Sequence, residues 1–534
     1  MLDLVAPRST FFLCASALVL SASSAEAAPI IIDGNVPDGG PDHFFVPFDV
    51  PDGTKEIQIV HDDKSDANIL DFGLYDEDGY RGWGGGTTEP TVIGELAASR
   101  AYVAGPIKAG KWQVVVGKAK VVASPAVYHL EIDLRTAPTL PPFTDRRPYA
   151  PAAPRKSGTR YYTGDFHCHS RESTDAQPTI QDMVALAKSR GLEFIEISDH
   201  NTVTQMDIMG GIQDGLPDFL ILPGIEYTTY AGHANAIGAT KWVDHKIGQP
   251  GVTIGGAADQ VHAQGAFFSI NHPVLDIGNL CIGCAWKHDL DPTKIDGVEI
   301  ETGGYDETGG IFTENAIKFW EAIIDKGRKI PAMGGSDDHT LGKSNGPGAA
   351  SPIGDPATMV RATELSVAAI LEGIKKGATV VKLGGPSDPM IELEAAPARD
   401  GDGNAIAFPG DTLGVRRVFL RATVTGGDGK VLRLVKNGTA QPDVPVQGDP
   451  FHYATLVDAP ATGEDRWRAE ITIDDKPRTV TSHIWLKNDP NGVSASDDST
   501  GGGGGCVVAR DTSTLPFIAL GVLVVSLSRR RRCR

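Results

Sequence analysis

The stretch Lys188-Ser189-Arg190-Gly191-Leu192-Glu193-Phe194-Ile195-Glu196-Ile197-Ser198-Asp199-His200 carries the fold in miniature. Upstream, a helix over 179–190 places Ile180, Val184 and Ala187 on one face, the spacing of a core-facing helix. Arg190 suits a helix C-terminus, and Gly191 supplies the left-handed turn that ends it. An apolar β run over 192–198 follows at once and stops at an acid and an imidazole. The unit recurs: Gly265 precedes 266–270, Gly327 precedes 328–333, and Gly377 precedes 378–383, with Lys326 and Lys376 in the last helical turns. Repeated helix–Gly–strand units predict an α/β block with mostly parallel strands over residues 158–385, as a barrel or an open sheet.

On either side the pattern changes to short strands punctuated by Asp-Gly and Gly-Gly turns. Residues 29–137 read as an antiparallel β-sandwich, with strands over 56–60, 112–116 and 128–134. A Pro-rich linker occupies 138–157. Residues 386–489 read as a second sandwich, with strands over 418–424, 431–435, 469–473 and 482–486. A chain of 534 residues has room for about three such domains. Its 41% hydrophobic and 22% charged residues exclude a disordered chain, a coiled coil and a polytopic membrane protein. A net charge of −19 lacks the basic surface that neutralises phosphates, so no nucleic-acid partner is expected.

Both termini read as addresses. Arg8, an apolar run over 11–20 and the small residues around Ala27 and Ala28 form a secretory signal peptide over 1–28. Residues 490–534 form a Gly-rich stalk, Cys506, an apolar segment over 515–527 and an Arg cluster over 529–532. That pattern resembles the C-terminal sorting signals of myxobacterial surface proteins; a tail anchor is the other reading. Either implies export and attachment to a membrane or cell surface through the tail, at the cell surface or outer membrane, or release after cleavage. Between the ends lie Cys168, Cys281 and Cys284. The Cys281-Ile282-Gly283-Cys284 pair is open to three readings: a disulfide, half a zinc site, or a redox pair.

Nine of the 14 histidines fall in the central block: His167, His169, His200, His233, His245, His262, His272, His288 and His339. A strand over 161–166 runs into His167-Cys168-His169, so both imidazoles share one face and Cys168 takes the other. Asp337 and His339 repeat that geometry beyond the strand near 330–333, with Asp338 turned away. Other strands end at Asp199-His200, at Glu226 and at Asn271-His272. Polar groups thus collect at strand carboxyl ends, where parallel α/β folds place their sites. Imidazole with carboxylate is a ligand set for divalent Zn, Mn or Fe.

The motifs Gly164-Asp165-Phe166-His167-Cys168-His169-Ser170, Ser198-Asp199-His200-Asn201, Asn271-His272-Pro273 and Gly335-Ser336-Asp337-Asp338-His339 resemble the polymerase and histidinol phosphatase (PHP) superfamily. Within it the chain is similar to the branch of carbaryl hydrolases, whose flanking sandwiches match as well. The resemblance implies a distorted (β/α)7 barrel with two or three divalent ions. One ion would be held by His167, His169, Glu226 and Asp337. A second would share Glu226 and take His233 and His272; a third would use Asp175, His200 and His339. Thr174-Asp175-Ala176 departs from the family's Ser-Asp-Gly, and Glu196 sits on a strand that is usually apolar. Asp199 and Asn201 flank a ligand and are placed to orient it. His245, His262 and His288 match no motif, and His262 reads as a surface residue. Lys343 reads as a solvated side chain or a contact for an anionic substrate.

The expected chemistry is hydrolysis of a small-molecule phosphoester, or of a carbamate or carboxylic ester, by a metal-bridged hydroxide. No Gly-x-Ser-x-Gly elbow supplies a side-chain nucleophile. The alternative is a surface-displayed binding protein with a structural metal site, which needs only four closed ligands.

Overall fold

The computed structural model describes residues 28–306, 310–343, 350–401 and 404–496. The leader up to residue 27 and the tail from 497 onward, Cys506 and the Arg cluster included, lie outside the described residues. Among the described residues no helix is long and apolar enough to cross a membrane. The protein is multidomain and mostly β, with several sheets.

Alternation builds the N-terminal block. Val46, Phe48 and Val50 are buried while Pro47 and Asp49 are exposed, so one face of that strand turns inward. Its sheet runs His43–Val50, Gly110–Lys120, Ile69–Asp76, Gly79–Gly85; the facing sheet runs Ile30–Asn35, Val127–Arg135, Glu56–Asp62, Thr91–Gly94. All neighbours are antiparallel, and Trp112, Leu74, Ile57 and Ile132 meet in one core between them.

In the central block Ser157–Asp165, Phe194–Ile197 and Leu220–Pro223 are parallel neighbours. Phe267–Ile270, Gly297–Thr302 and Ala332–Gly335 form a second parallel set. The last of these begins at Ala332 rather than near 328, because Pro331 has no N–H to give a ladder. The strand Gly232–Ile237 is reversed: it pairs antiparallel with Phe267–Ile270, and with Glu226–Thr229 it forms a hairpin. This hairpin interrupts the expected parallel order. Ala236 N donates to Ile225 O (2.8 Å) and Gly238 N to Pro223 O (2.8 Å), joining the two sets along one side. Along the other side Asp337 N donates to His167 O (2.7 Å) and His169 N to Asp338 O (3.0 Å). Strand ends from both sets therefore face a common centre.

The helices lie outside these strands. Thr179 caps Ile180–Ser189 by accepting from Asp182 N, and that helix buries Ile180, Met183, Val184 and Ala187. Gly191, Gly265, Gly327 and Gly377 all have positive φ (81°, 73°, 91° and 84°), the conformation expected of each helix-to-strand turn.

The first strand of the C-terminal block is Met390–Ala396, and the block shares a sheet with the central one. Thr379–Lys382 pairs antiparallel with Lys476–Thr481. Helix Gly310–Asp325 adds a second tie: Glu321 accepts from Arg466 (2.9 and 2.7 Å) and Arg468 (3.0 Å) and lies 3.3 Å from His483 Nε2. Burial would raise this carboxyl, but His483, Arg468 and Arg466 hold it well below the usual carboxylate range. The N-terminal sandwich docks over the strand ends. Tyr80 donates to Asn201 O (2.9 Å), Thr174 to Gly84 O (2.6 Å), Arg100 to Ala176 O (2.8 Å) and Tyr230 to Asp71 (2.7 Å).

Candidate metal centre

Each strand end delivers one or two polar side chains. His167 and His169 follow Ser157–Asp165, His200 follows Phe194–Ile197, and His272 follows Phe267–Ile270. Glu226 and His233 come from the hairpin, and Asp337 and His339 follow Ala332–Gly335. Gly335 is needed at that approach, since a Cβ there would stand 2.3 Å from His167 Cβ. Two ligand candidates have left-handed backbones, His272 (φ 26°) and Asp337 (φ 56°). Such conformations cost about 1–3 kcal/mol each and persist where the surroundings fix them. Here Glu299 accepts from His272 N (2.8 Å), and His167 O accepts from Asp337 N (2.7 Å).

Five of the residues singled out from the sequence, His167, His169, His200, His233 and His272, meet Glu226 directly. Its Oε1 lies 3.3 Å from each of His167 Nε2, His233 Nδ1 and His272 Nε2. Its Oε2 lies 2.8 Å from His200 Nδ1 and 3.6 Å from His169 Nε2. Asp337 Oδ1 lies 3.2 Å from His167 Nε2 and 3.1 Å from His169 Nε2. At the mouth, Asp175 Oδ2 stands 3.3 Å from His200 and 3.5 Å from His339, with its side chain 54% exposed. Four groupings bring ligand atoms within 4.8 Å of one another and could hold a metal ion: His167, His169, Glu226 and Asp337; His169, His200 and His339; His233, His272 and Cys284; and His167, His272 and Glu299.

Buried polar atoms without partners test the fit. His169 Nε2, Glu226 Oε2 and both ring nitrogens of His233 are buried with no hydrogen bond. Buried polar atoms are nearly always satisfied, because an orphan costs about 1–3 kcal/mol. These orphans border the same space, and a cation there would take their lone pairs. Burial, together with His339 and His200, pushes the His169 imidazole down to about 3, so it stays in the neutral form a metal requires. Burial would also raise the Glu226 carboxyl, but His167, His200 and His233 outweigh it and hold it well below the usual range. The site therefore offers a fixed anion among imidazoles.

The second nitrogen of most of these rings is spoken for. His167 Nδ1 lies 3.1 Å from Glu299 and His169 Nδ1 3.2 Å from Ser173, while His200 Nδ1, the atom that also faces Glu226, lies 2.7 Å from Thr228. His272 Nδ1 lies 3.1 Å from Cys284 O, and His339 Nδ1 2.9 Å from Asp337 O. Such contacts set tautomer and ring orientation. Glu299, Ser173 and Thr228 went unread in the sequence. Glu299 had a signal: with Glu301 it puts two acids on one face of a strand whose Val298 and Ile300 are fully buried. Glu299→Gln keeps the acceptor for His272 N but removes the charge facing His167. It is expected to weaken metal affinity about 10–100-fold in a competition titration against a chelator, with unchanged circular dichroism.

Other candidates act elsewhere. Asp199 accepts from Ser170 N and Oγ (2.7 Å each), not from His200, and burial pushes its carboxyl up to about 7. Asn201 bonds both ways with the Thr228 backbone (2.9 and 3.0 Å), so it positions the threonine that meets His200. Glu196 is buried, accepts from Asn235 (2.8 Å), and is raised well above the usual range by that burial. His262, expected at the surface, is partly buried, with Nε2 2.7 Å from Asp296. His288 Nε2 lies 2.7 Å from Thr229 Oγ1, and His245 packs edge-on to Trp83 and His43 under the N-terminal sandwich. Cys281 and Cys284 form a disulfide, which leaves no Cys284 thiolate to ligate. Cys168 is buried and points away from the ligands, its thiol donating to Glu196 O (2.8 Å).

Above the cluster opens a cleft of about 910 Å³. His200, Glu226, His233, Asp337 and His339 form its floor, and Lys343 stands exposed on its border. One wall belongs to the N-terminal sandwich, through Asp71, Thr87, Thr88, Glu89 and Arg100. No protein-family model and no curated protein matches this chain. Among solved structures it is similar to the CARDB domain of a Pyrococcus furiosus protein, at 16% identity over 19% of this chain and 94% of that one, with a TM-score of 0.14. It is also similar to an engineered protein, at 10% identity over 55% of this chain and 49% of that one, with a TM-score of 0.16.

Proposed function

We propose that the protein is an exported, metal-dependent hydrolase of ester bonds, built on a distorted (β/α)7 barrel of the PHP type. His167, His169, Glu226 and Asp337 hold one divalent ion, and Glu226, His233 and His272 a second. Asp175, His200 and His339 hold a third at the mouth. The reading rests above all on Glu226, a buried carboxylate within 3.3 Å of imidazoles from four separate chain segments. Zn, Mn or Fe so held supplies Lewis acidity and a water made acidic near neutral pH, which together serve attack on a phosphoester, carbamate or carboxylic ester. Glu299, Ser173, Thr228 and the Cys284 carbonyl keep the imidazoles turned inward, so little reorganisation is needed when substrate binds. Lys343 gives the cleft border an exposed positive group for an anionic ester, while Arg100 on the sandwich wall is paired with Glu89 (3.1 and 3.0 Å).

The test uses the full chain loaded with Mn or Zn and offered an aryl phosphate, an aryl carbamate and an aryl carboxylate. Turnover on at least one is expected, and Asp337→Ala is expected to abolish it while the chain stays folded. Full metal occupancy without turnover on any of the three would overturn the hydrolase reading. Unfolding of Asp337→Ala would favour a purely structural site.

A further inference from the structure

Between strands Phe267–Ile270 and Gly297–Thr302 the chain makes a long excursion that is closed at its base. Trp286 N donates to Pro273 O (2.9 Å), and the Cys281–Cys284 disulfide pins the returning arm. The arm touches the ligand cluster at two places. Cys284, 1% exposed, sets its carbonyl 3.1 Å from His272 Nδ1. Gly283 (φ 82°) lies on the turn of the hairpin that carries Glu226 and His233, so close that a Cβ there would stand 2.3 Å from Thr229 O. Lys287 N donates to Ala231 O (2.7 Å) on the same turn. The outgoing arm does something different. Leu275, Ile277 and Leu280 line the cleft, joined by Ile282 from within the bridge, and Leu280 is 80% and Ile277 38% exposed. Together these side chains give that stretch of the cleft lining an aliphatic surface, which an apolar group of a bound molecule would remove from water.

We propose that this disulfide-closed loop is the positioning and selecting element of the site. The Cys281–Cys284 bridge holds the Cys284 carbonyl on His272, and the Ile277–Leu280 rim receives an apolar group of the bound molecule. The identity of that molecule as an ester rests on the reading above; the loop's two roles do not. A carbonyl facing Nδ1 fixes the tautomer that leaves Nε2 free for a cation. Loss of the bridge frees the arm that carries this carbonyl, so His272 and the Glu226 hairpin both lose a support.

Two measurements on the full chain test the proposal. Metal affinity is measured by competition titration for the oxidised chain, for the chain reduced with a phosphine, and for Cys281→Ser/Cys284→Ser. Reduction frees the Cys284 thiol within ligand reach of His233 and His272, so the double variant, which has no such thiol, decides. It is expected to bind metal about 10–100-fold more weakly than the oxidised chain and to be unaffected by the phosphine. Equal affinity of the double variant and the oxidised chain, or a phosphine effect on the double variant, would overturn the bridge's role. Calorimetric binding of octylphosphonate and methylphosphonate to the metal-loaded chain tests the rim. The octyl compound is expected to bind at least about tenfold tighter, and Ile277→Asn/Leu280→Asn to lose that preference with unchanged metal content. A preference that survives in this variant, or is absent from the wild type, would overturn the rim's role. If both expectations hold and no ester is hydrolysed, only the hydrolase reading falls.

Discussion

Glu226→Gln is expected to lower ester hydrolysis about 10³-fold or more, a loss of roughly 4 kcal/mol of transition-state stabilisation. Gln has nearly the same volume, and the backbone bonds of residue 226, from its N to Ser198 O (3.0 Å) and from Asn201 N to its O (3.0 Å), do not depend on the side chain. What changes is the charge at the centre. Oε1 serves His167, His233 and His272, and Oε2 serves His200 and His169. An amide turns N–H donors toward at least one of these sets and toward the space a cation would occupy. Loss of bound metal should accompany the loss of rate, while circular dichroism stays that of the wild type. A rate drop below tenfold, or wild-type metal content in the variant, would contradict this assignment.

Metal removal is expected to produce the second large effect, this time on stability. An ion that binds only the folded chain stabilises it by about 4 kcal/mol at a thousand times its Kd. Without it, His233 Nε2 stays buried with no partner, and His169 Nε2 and Glu226 Oε2 stay buried without a hydrogen bond. The effect depends on pH in a definite direction. In the metal-free site burial opposes charge on His167, His200, His272 and His339, yet the facing carboxylates outweigh it and raise all four imidazoles, so protons compete for these rings. A cation must displace those protons, so its hold weakens as pH falls. Differential scanning calorimetry with and without a chelator is expected to show a clear drop in Tm at pH 8 and a smaller one at pH 6. Equal Tm values with and without chelator at both would contradict it.

The strand-end pattern was readable because period-2 geometry is local. His167 and His169 share a face whatever else the chain does, and the glycines after each helix announce where a strand begins. The convergence of those ends was read from parallel α/β topology and from family motifs. What lay beyond the sequence depends on tertiary neighbours. Asp199 stands beside His200 in the chain, yet its hydrogen-bond partner is Ser170, delivered by another strand. Glu299 faces His167 across 132 residues, a pairing that no local spacing announces. The reversed strand Gly232–Ile237 also escaped notice: its run is short, with His233 and Asn235 alternating with alanines, and alternation gives no direction. The sheet shared by Thr379–Lys382 and Lys476–Thr481 depends on which edge is left unpaired, a property of the assembled block.

The central claim is that distant imidazoles and carboxylates jointly hold cations at Glu226. Its most direct measurement is the divalent metal content of the purified full chain after exhaustive dialysis, by elemental analysis, for wild type beside Glu226→Gln. The account predicts two or three tightly bound ions per wild-type chain and a loss of at least one in the variant. A wild-type chain that retains less than one ion, or a variant that retains as many as the wild type, would contradict it.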